Sequence, residues 1–380
     1  MKHIFFTGII FLAIFEIANV YFIMPMPGSQ RMNSLGIAYF LHEWRWVFRG
    51  IFGVMIATGL FQASRSNKWW VLGALLIAGA AVYLFNFDMA ADKMFYQPST
   101  LRLADAQTNK VNLDKLVLGV ALNGQTKAYP IQFIGYHHQV RDTVGHTPVM
   151  VTYCTVCRSG RVFAPTVDGR PETFRLVGMD HFNAMLEDDA TGSWWRQATG
   201  EAVAGPLKGK YLPELPVVQT SLREWLKLHP NSLVMQPDSA FAEEYADMDS
   251  YDTGRGRGKL TGTDTLSWRD KSWIVGLEVN RIAKAYDWNR LKQERVINDR
   301  VGDQPVVIVL AADSLSFFAF ERPSAEAVFT LRNDTLISAE NAWNLLGGVL
   351  NGTAQPLRPI AAYQEFWHSW STFHPYTTRY

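Results

Sequence analysis

Residues 118–151, LGVALNGQTKAYPIQFIGYHHQVRDTVGHTPVMV, align without a gap to residues 275–308, VGLEVNRIAKAYDWNRLKQERVINDRVGDQPVVI. Gly119 falls on Gly276, Lys127-Ala128-Tyr129 on Lys284-Ala285-Tyr286, and Asp142, Gly145 and Pro148 on Asp299, Gly302 and Pro305. Coincidences this dense at fixed spacing read as an internal repeat, and a repeat constrains the architecture before any short motif does. With small deletions in the second copy, the correspondence runs on through Trp195 and Gly200 against Trp343 and Gly347. It closes with Trp225 and His229-Pro230 against Trp370 and His374-Pro375, so the copies cover about 112–236 and 269–380.

Within each copy VLGVAL and PVMVTY, like WIVGLEV and PVVIVLA, are short β-branched runs bounded by Gly, Pro, Asn and Asp, which predicts buried strands. Asp142-Thr-Val-Gly145 and Asp299-Arg-Val-Gly302 stand where hairpins turn, while SLREWLKLH and YQEFWHSWSTFH predict short helices near the ends of the copies. The expected fold class is α+β and β-rich, with N-terminal transmembrane helices followed by a tandem-duplicated soluble domain in a pseudo-twofold arrangement. The domains read as a membrane anchor over 1–90, a first repeat over 95–236, and a second repeat over 269–380. Residues 237–268, rich in Asp, Ser, Gly and Tyr and lacking an apolar period, read as a linker or long surface loop.

Upstream of the repeats, Ile4 to Met24 is apolar for long enough to cross a hydrocarbon layer of roughly 30 Å at 1.5 Å per residue. Without a small-x-small cleavage site before Pro25-Met26-Pro27, it reads as a spanning helix rather than a signal peptide. Further spans are expected from about Trp46 to Ala63 and from Trp69 to Phe87. Arg65 and Lys68 in the link between them favour a cytoplasmic link, an N-terminus inside and everything after Phe87 outside; Arg31 and Arg45 in or beside the outer loop weigh against this. The expected location is the inner membrane, multi-pass, with the C-terminal domain outside the cytoplasm. Glu16 lies within the first span, with Arg49 as its expected partner in a helix-pairing contact.

The 36 basic residues nearly balance the 35 acidic ones, and no long basic run carries interleaved aromatics, so nucleic acid is not an expected partner. The membrane is, together with a redox or metal-delivery partner protein. The only two cysteines, Cys154 and Cys157, share one motif, so no disulfide can join distant parts of the chain.

The repeat supplies its own control, because a residue present in both copies is explained by the fold and one present in a single copy needs a local reason. Tyr153-Cys-Thr-Val-Cys-Arg-Ser-Gly160 faces Leu310-Ala-Ala-Asp-Ser-Leu-Ser-Phe317, His137-His138 faces Glu294-Arg295, and the stretch Asn183 to Gln197 faces a shorter, less polar segment. Lys127, Tyr129 and Asp142, matched in both copies, read as architectural. His229 and His374, also matched, read as helix-end structure, and Glu187-Asp188-Asp189 as a solvated turn. Chemistry is therefore expected in the first copy.

Two cysteines separated by two residues can bring their sulfurs within bonding distance, and the motif often lowers one thiol pKa from about 8.5 toward 7 or below. Three readings stay open at this point. The pair can be a redox couple, a soft-metal site, or a structural pair of thiols at a strand end. Zinc needs about four ligands, for which His137, His138, His146 and His181 are the available imidazoles, whereas copper(I) accepts the two thiolates alone or with one His. No Walker loop, dinucleotide fingerprint, Gly-x-Ser-x-Gly or His-Glu-x-x-His is present.

The order G-V-x-x-N-G-x-x-K-A-Y-P, H-x-x-x-x-D-x-V-G, V-T-Y-C-x-x-C and N-x-x-x-x-D-x-x-T-G-S-x-W-x-Q resembles the family known as domain of unknown function 3179. The resemblance covers nearly all of residues 112–380, through the closing F-W-x-x-W-x-x-F-H-P. It implies no established activity. Relatives described as selenoproteins imply a cysteine position open to selenocysteine, which favours redox chemistry. By position Cys154, Cys157, His137, Asp142, Asn183, Asp188, Trp195 and Gln197 fall on the family pattern. Thr155-Val156 stands where Pro-Leu is common, Arg158 where Gly is common, His138 where Glu is common and Arg141 where Asn is common.

These readings lead to an expected membrane-tethered thiol oxidoreductase. Cys154 and Cys157 would exchange electrons, His137 or His138 would handle the proton, and Asp142, Asn183, Asp188, Trp195 and Gln197 would line the pocket. No cofactor follows from the residues in this reading. The alternatives are a copper or zinc carrier using Cys154, Cys157, His137 and His138, and a non-catalytic scaffold of a membrane complex.

Overall fold

Helix α1 (Lys2–Tyr21), the short α2 (Leu35–Glu43), α3 (Arg45–Ser66) and α4 (Lys68–Tyr83) open the chain, with α4 extended by one π-helical turn over Leu84–Asp88. The runs Lys2–Tyr21, Arg45–Ser66 and Lys68–Asp88 are long and apolar enough to cross a membrane. The first helix stops three residues before the expected end at Met24, in a turn that leads into Pro25 and Pro27. The computed structural model describes residues 2–98, 100–256 and 258–380.

Small residues set the spacing of these apolar helices. A Cβ on Gly59 would come within 2.4 Å of the Phe5 nitrogen, and one on Gly8 within 3.0 Å of Ile56, so α1 and α3 meet through bare backbone. Glu16 is fully buried and accepts from Arg49 Nε at 2.7 Å, Arg49 Nη2 at 2.8 Å and Asn86 Nδ2 at 2.9 Å. The expected pair is formed, and a bare carboxylate is avoided where it would be expensive.

The chain divides into two compact units that do not follow the repeat boundaries. The first joins residues 1–96 to 172–196 and 201–211. Its sheet runs Phe174–Asp180, Asn183–Asp188, Trp194–Arg196 and Ala202–Ala204, each antiparallel to the next. Val20, Ile23 and Ala38 pack against Val177, Met185 and Trp194 of that sheet.

The second unit comprises 97–171, 197–200 and 212–380. In it Val218–Ser221, Leu116–Leu122, Gln125–Pro130 and Leu233–Met235 lie side by side in that order, and Leu103–Ala104 adds an edge. Ala362–Phe366, Trp273–Val279, Ile282–Asp287 and Thr378–Arg379 form a sheet of the same order and the same senses. The register also agrees, since Leu233 pairs with Lys127 and Thr378 with Lys284. Each sheet is followed by a short helix, Ile131–His137 or Trp288–Glu294, which the sequence reading did not expect. Three antiparallel strands come next, Gln139–Val144, Thr147–Cys154 and Ser159–Phe163 in one case and Val296–Val301, Gln304–Leu310 and Phe317–Glu321 in the other.

The aligned glycines have a packing reason. A Cβ on Gly119 would sit 2.2 Å from the Trp225 ring, and one on Gly276 2.3 Å from Trp370. Each indole therefore lies flat on the glycine of a central strand, and the aligned Gly and Trp are two halves of one contact.

Residues 237–268, expected as a linker or surface loop, are built into the second unit. They contain a 3-10 turn (Ser239–Phe241) and a helical turn (Ala242–Asp247), and they bury Tyr245, Tyr251 and Asp252. An apolar period is not needed for this. A few aromatic rings at irregular spacing anchor an irregular segment.

Candidate functional site

Cys154 ends the strand Thr147–Cys154 and is paired across the ladder with Ser159, so Thr155-Val156-Cys157-Arg158 forms the tip of a hairpin. Both cysteines are buried, at 1% and 0% exposure, and they are near each other without being joined in a disulfide. Arg158 takes a left-handed φ of 56° to close the turn; in the second half the left-handed residue is Ser314, one position earlier in the alignment.

The carbonyls of this turn are held by later parts of the chain. Tyr251 Oη donates to Thr155 O at 2.8 Å, Lys271 Nζ to Val156 O at 2.6 Å, and Phe366 N to Cys157 O at 2.9 Å. Lys271 Nζ also donates to Leu260 O at 2.6 Å and lies 3.2 Å from His368 Nε2. His368 Nε2 also lies 3.1 Å from Val156 O, so the ammonium and the imidazole meet at one carbonyl of the turn. Burial pushes the His368 pKa down to about 4, with the Lys271 charge adding to the effect, so the ring is neutral at pH 7. Burial also holds the Lys271 ammonium below the usual lysine range, while charge on Cys157 and Cys154 acts the other way. Lys271 is thus a partly buried cation, bonded to two carbonyls and beside an imidazole, in electrostatic reach of both sulfurs.

Arg158 is fully buried. It donates to Gln364 Oε1 at 2.9 Å, Tyr251 O at 3.2 Å and Asp252 O at 2.9 Å, and its guanidinium lies 3.5 Å from the centre of the Trp273 ring. Beneath the hairpin, Gln197 accepts from Ser159 Oγ at 2.8 Å and donates to Thr152 Oγ1 at 3.0 Å and Ser159 O at 3.2 Å. Gln197 therefore fixes the residue paired with Cys154.

His137 is fully buried with Nε2 2.6 Å from Tyr245 Oη. His138 follows in a left-handed conformation, φ 60°, with Nδ1 3.0 Å from Tyr136 O. Burial pushes its pKa down to about 4, and His137 contributes in the same direction. The second half shows what this position can reach. Arg295, which aligns with His138 and shares its left-handed φ of 63°, donates to Ser314 Oγ at 2.7 Å and to the Ala311 carbonyl. Those two residues align with Cys157 and Cys154.

The other expected site residues are placed differently. Asp142 accepts from Lys127 Nζ at 2.9 Å and Tyr129 Oη at 2.8 Å, and Lys284 pairs with Asp299 at 2.6 Å in the matching position. Asn183, Asp188 and Trp195 belong to the first unit. There the buried Asp188 accepts from Trp195 Nε1 at 2.8 Å and Thr191 N at 2.7 Å, and Glu187 accepts from Trp194 Nε1 at 2.8 Å. The acidic turn is therefore not solvated at Glu187 and Asp188: two indoles need buried acceptors, and these carboxylates supply them. Among the described residues no group of three or more His, Cys, Asp or Glu is placed to hold a metal ion.

Sequence reasoning missed Lys271, His368, Tyr245 and Tyr251. The last two carried a signal, as aromatic residues in an otherwise polar stretch, whereas Lys271 and His368 are more than 110 positions from the cysteines along the chain and had none.

Comparison with curated proteins and with solved structures finds no significant match. The family described as "Protein of unknown function (DUF3179)" matches residues 96–377. That range contains the cysteine hairpin, the segment packed over it and both runs of strands, and the chain belongs to this family.

Proposed function

We propose that this chain is a membrane-tethered, extracytoplasmic thiol oxidoreductase in which Cys154 and Cys157 form a dithiol–disulfide couple. The observation that carries the reading is the immobilised turn. Two buried thiols sit at a hairpin tip whose carbonyls are hydrogen-bonded from distant segments, beside the partly buried Lys271 cation. A positive charge favours thiolate over thiol, and neutral His138 offers a proton acceptor.

The step balances with a disulfide as oxidant. The Cys154 thiolate attacks one sulfur of a partner disulfide and releases the other as a thiolate. Cys157 then loses its proton to a neighbouring base and displaces the remaining partner sulfur, leaving a Cys154–Cys157 disulfide and a reduced dithiol partner. Because both sulfurs are buried, a protein partner requires the segment 237–268 to open first.

The test uses the full chain in detergent under anaerobic conditions, with thiols counted by alkylation and mass across a series of oxidised and reduced dithiothreitol mixtures, alongside Cys154→Ser. The proposal expects both thiols to convert together and reversibly. Thiols that never pair at any potential overturn it. A stoichiometric copper or zinc lost in Cys154→Ser replaces it with metal carriage. A deletion strain fully complemented by both Cys→Ser variants points to a scaffold role.

A further inference from the structure

The first unit contains a cavity that the thiol chemistry does not use. It measures about 450 Å³ and opens where α1 ends, α3 begins and α4 passes into its final turn. Its lining has two characters. Arg45, Arg49, Lys93 and Arg175 bring permanent positive charge against the one carboxylate of Asp92, while Val20, Trp46, Val82, Phe85 and Val177 give apolar wall.

The charges are not all balanced within the fold. Arg49 is held by Glu16 at 2.7 Å, and Arg175 by Glu187 at 2.5 Å and Asp92 at 3.3 Å. His42 Nε2 lies 2.8 Å from Glu187. Arg45 instead donates to the His42 carbonyl, and among the described residues neither Arg45 nor Lys93 takes part in an ion pair. Two cations thus remain for a ligand in a cavity whose other half is hydrocarbon.

The level of the cavity identifies the source of that ligand. Trp44, Trp46, Tyr83 and Phe87 are exposed at this end of the helices, and Trp69 and Trp70 at the other. Exposed aromatic rings at both ends of apolar helices mark the two membrane–water interfaces. From Trp69 to Phe87 the helix rises about 27 Å at 1.5 Å per residue, close to the hydrocarbon thickness. Arg45 and Lys93 then lie at the depth of lipid phosphates.

We propose that this cavity binds an anionic glycerophospholipid, with its phosphate between Arg45 and Lys93 and one acyl chain along the apolar wall. Free phosphate would use the cations and leave the apolar half unfilled, so lipid is the occupant to which the lining is complementary.

The test takes the full chain, stripped of lipid in mild detergent, and titrates it with dihexanoyl phosphatidylglycerol, dihexanoyl phosphatidylcholine and inorganic phosphate, reading bound lipid by native mass spectrometry. Phosphatidylglycerol is expected to bind one per chain and at least tenfold more tightly than phosphatidylcholine. Arg45→Gln and Lys93→Gln should each weaken it about threefold to tenfold; Lys93 is exposed, so its replacement leaves the lipid-free melting temperature unchanged. Equal affinity for phosphatidylcholine overturns the proposal. So does unchanged affinity in both variants, or displacement of the lipid by equimolar inorganic phosphate.

Discussion

Replacing Arg158 with methionine keeps an unbranched apolar stem and removes the guanidinium. The loss comprises three charge-assisted hydrogen bonds and the stacking on Trp273. Gln364 Oε1 keeps the Gln219 donor at 3.0 Å and Tyr251 O keeps Gly254 N at 3.0 Å, so the group left without its donor is Asp252 O. With each charged hydrogen bond worth about 1.5–3 kcal/mol net, and part of that returned because a charge is no longer buried, a cost of about 3 kcal/mol follows. That predicts a fall in melting temperature of about 6–12 °C for a unit of this size. The better assay is alkylation under native conditions. Cys154 and Cys157 are buried, so a thiol reagent reports opening of the segment around Tyr251 and Asp252. A 3 kcal/mol change should raise the labelling rate about 150-fold where closing outpaces labelling. Arg158→Gly should be accelerated less than Arg158→Met, because glycine relieves about 1 kcal/mol of left-handed strain at φ 56°. Labelling of Arg158→Met within twofold of wild type, with an unchanged melting temperature, would refute the reasoning.

Gly119→Ala should destabilise by about 1–3 kcal/mol through its clash with the Trp225 ring, and Gly276→Ala likewise through Trp370; thermal melting checks both, and Trp225→Leu should partly rescue Gly119→Ala. Asp252 is pushed up to about 6, chiefly by burial, so the folded state holds its proton where the unfolded state has released it. Its contribution to stability is full below about pH 4 and is lost as pH rises through about 6, a change of about 3 kcal/mol; Asp252→Asn should flatten that part of the stability profile measured by denaturant titration. Among the long apolar helices, Glu16→Ala should cost about 3 kcal/mol by leaving the partly buried Arg49 without its carboxylate, with Asn86 Oδ1 at 2.5 Å as its remaining acceptor. Glu16→Gln combined with Arg49→Met should recover much of the loss, as read by melting in detergent.

Much of the framework could be read from local pattern. The runs around Val117, Val151, Val275 and Ile308 are β-branched and bounded by turn residues, and all four are fully buried strand residues. The three long apolar helices, the Glu16–Arg49 pair and the contrast between Cys154/Cys157 and Ala311/Ser314 were equally accessible. The helices Ile131–His137 and Trp288–Glu294 were not, because seven residues between two strands are too short to show a helical period.

By itself the sequence determined which runs become strands or long apolar helices, because burial leaves its mark on residues adjacent in the chain. Only the tertiary structure decided that the thiols are covered, that Tyr251, Lys271, Phe366 and His368 converge on their turn, and that Asn183, Asp188 and Trp195 belong to a different unit. Val156 and His368 are 212 positions apart, and a bond between them comes from how sheets pack rather than from any spacing along the chain.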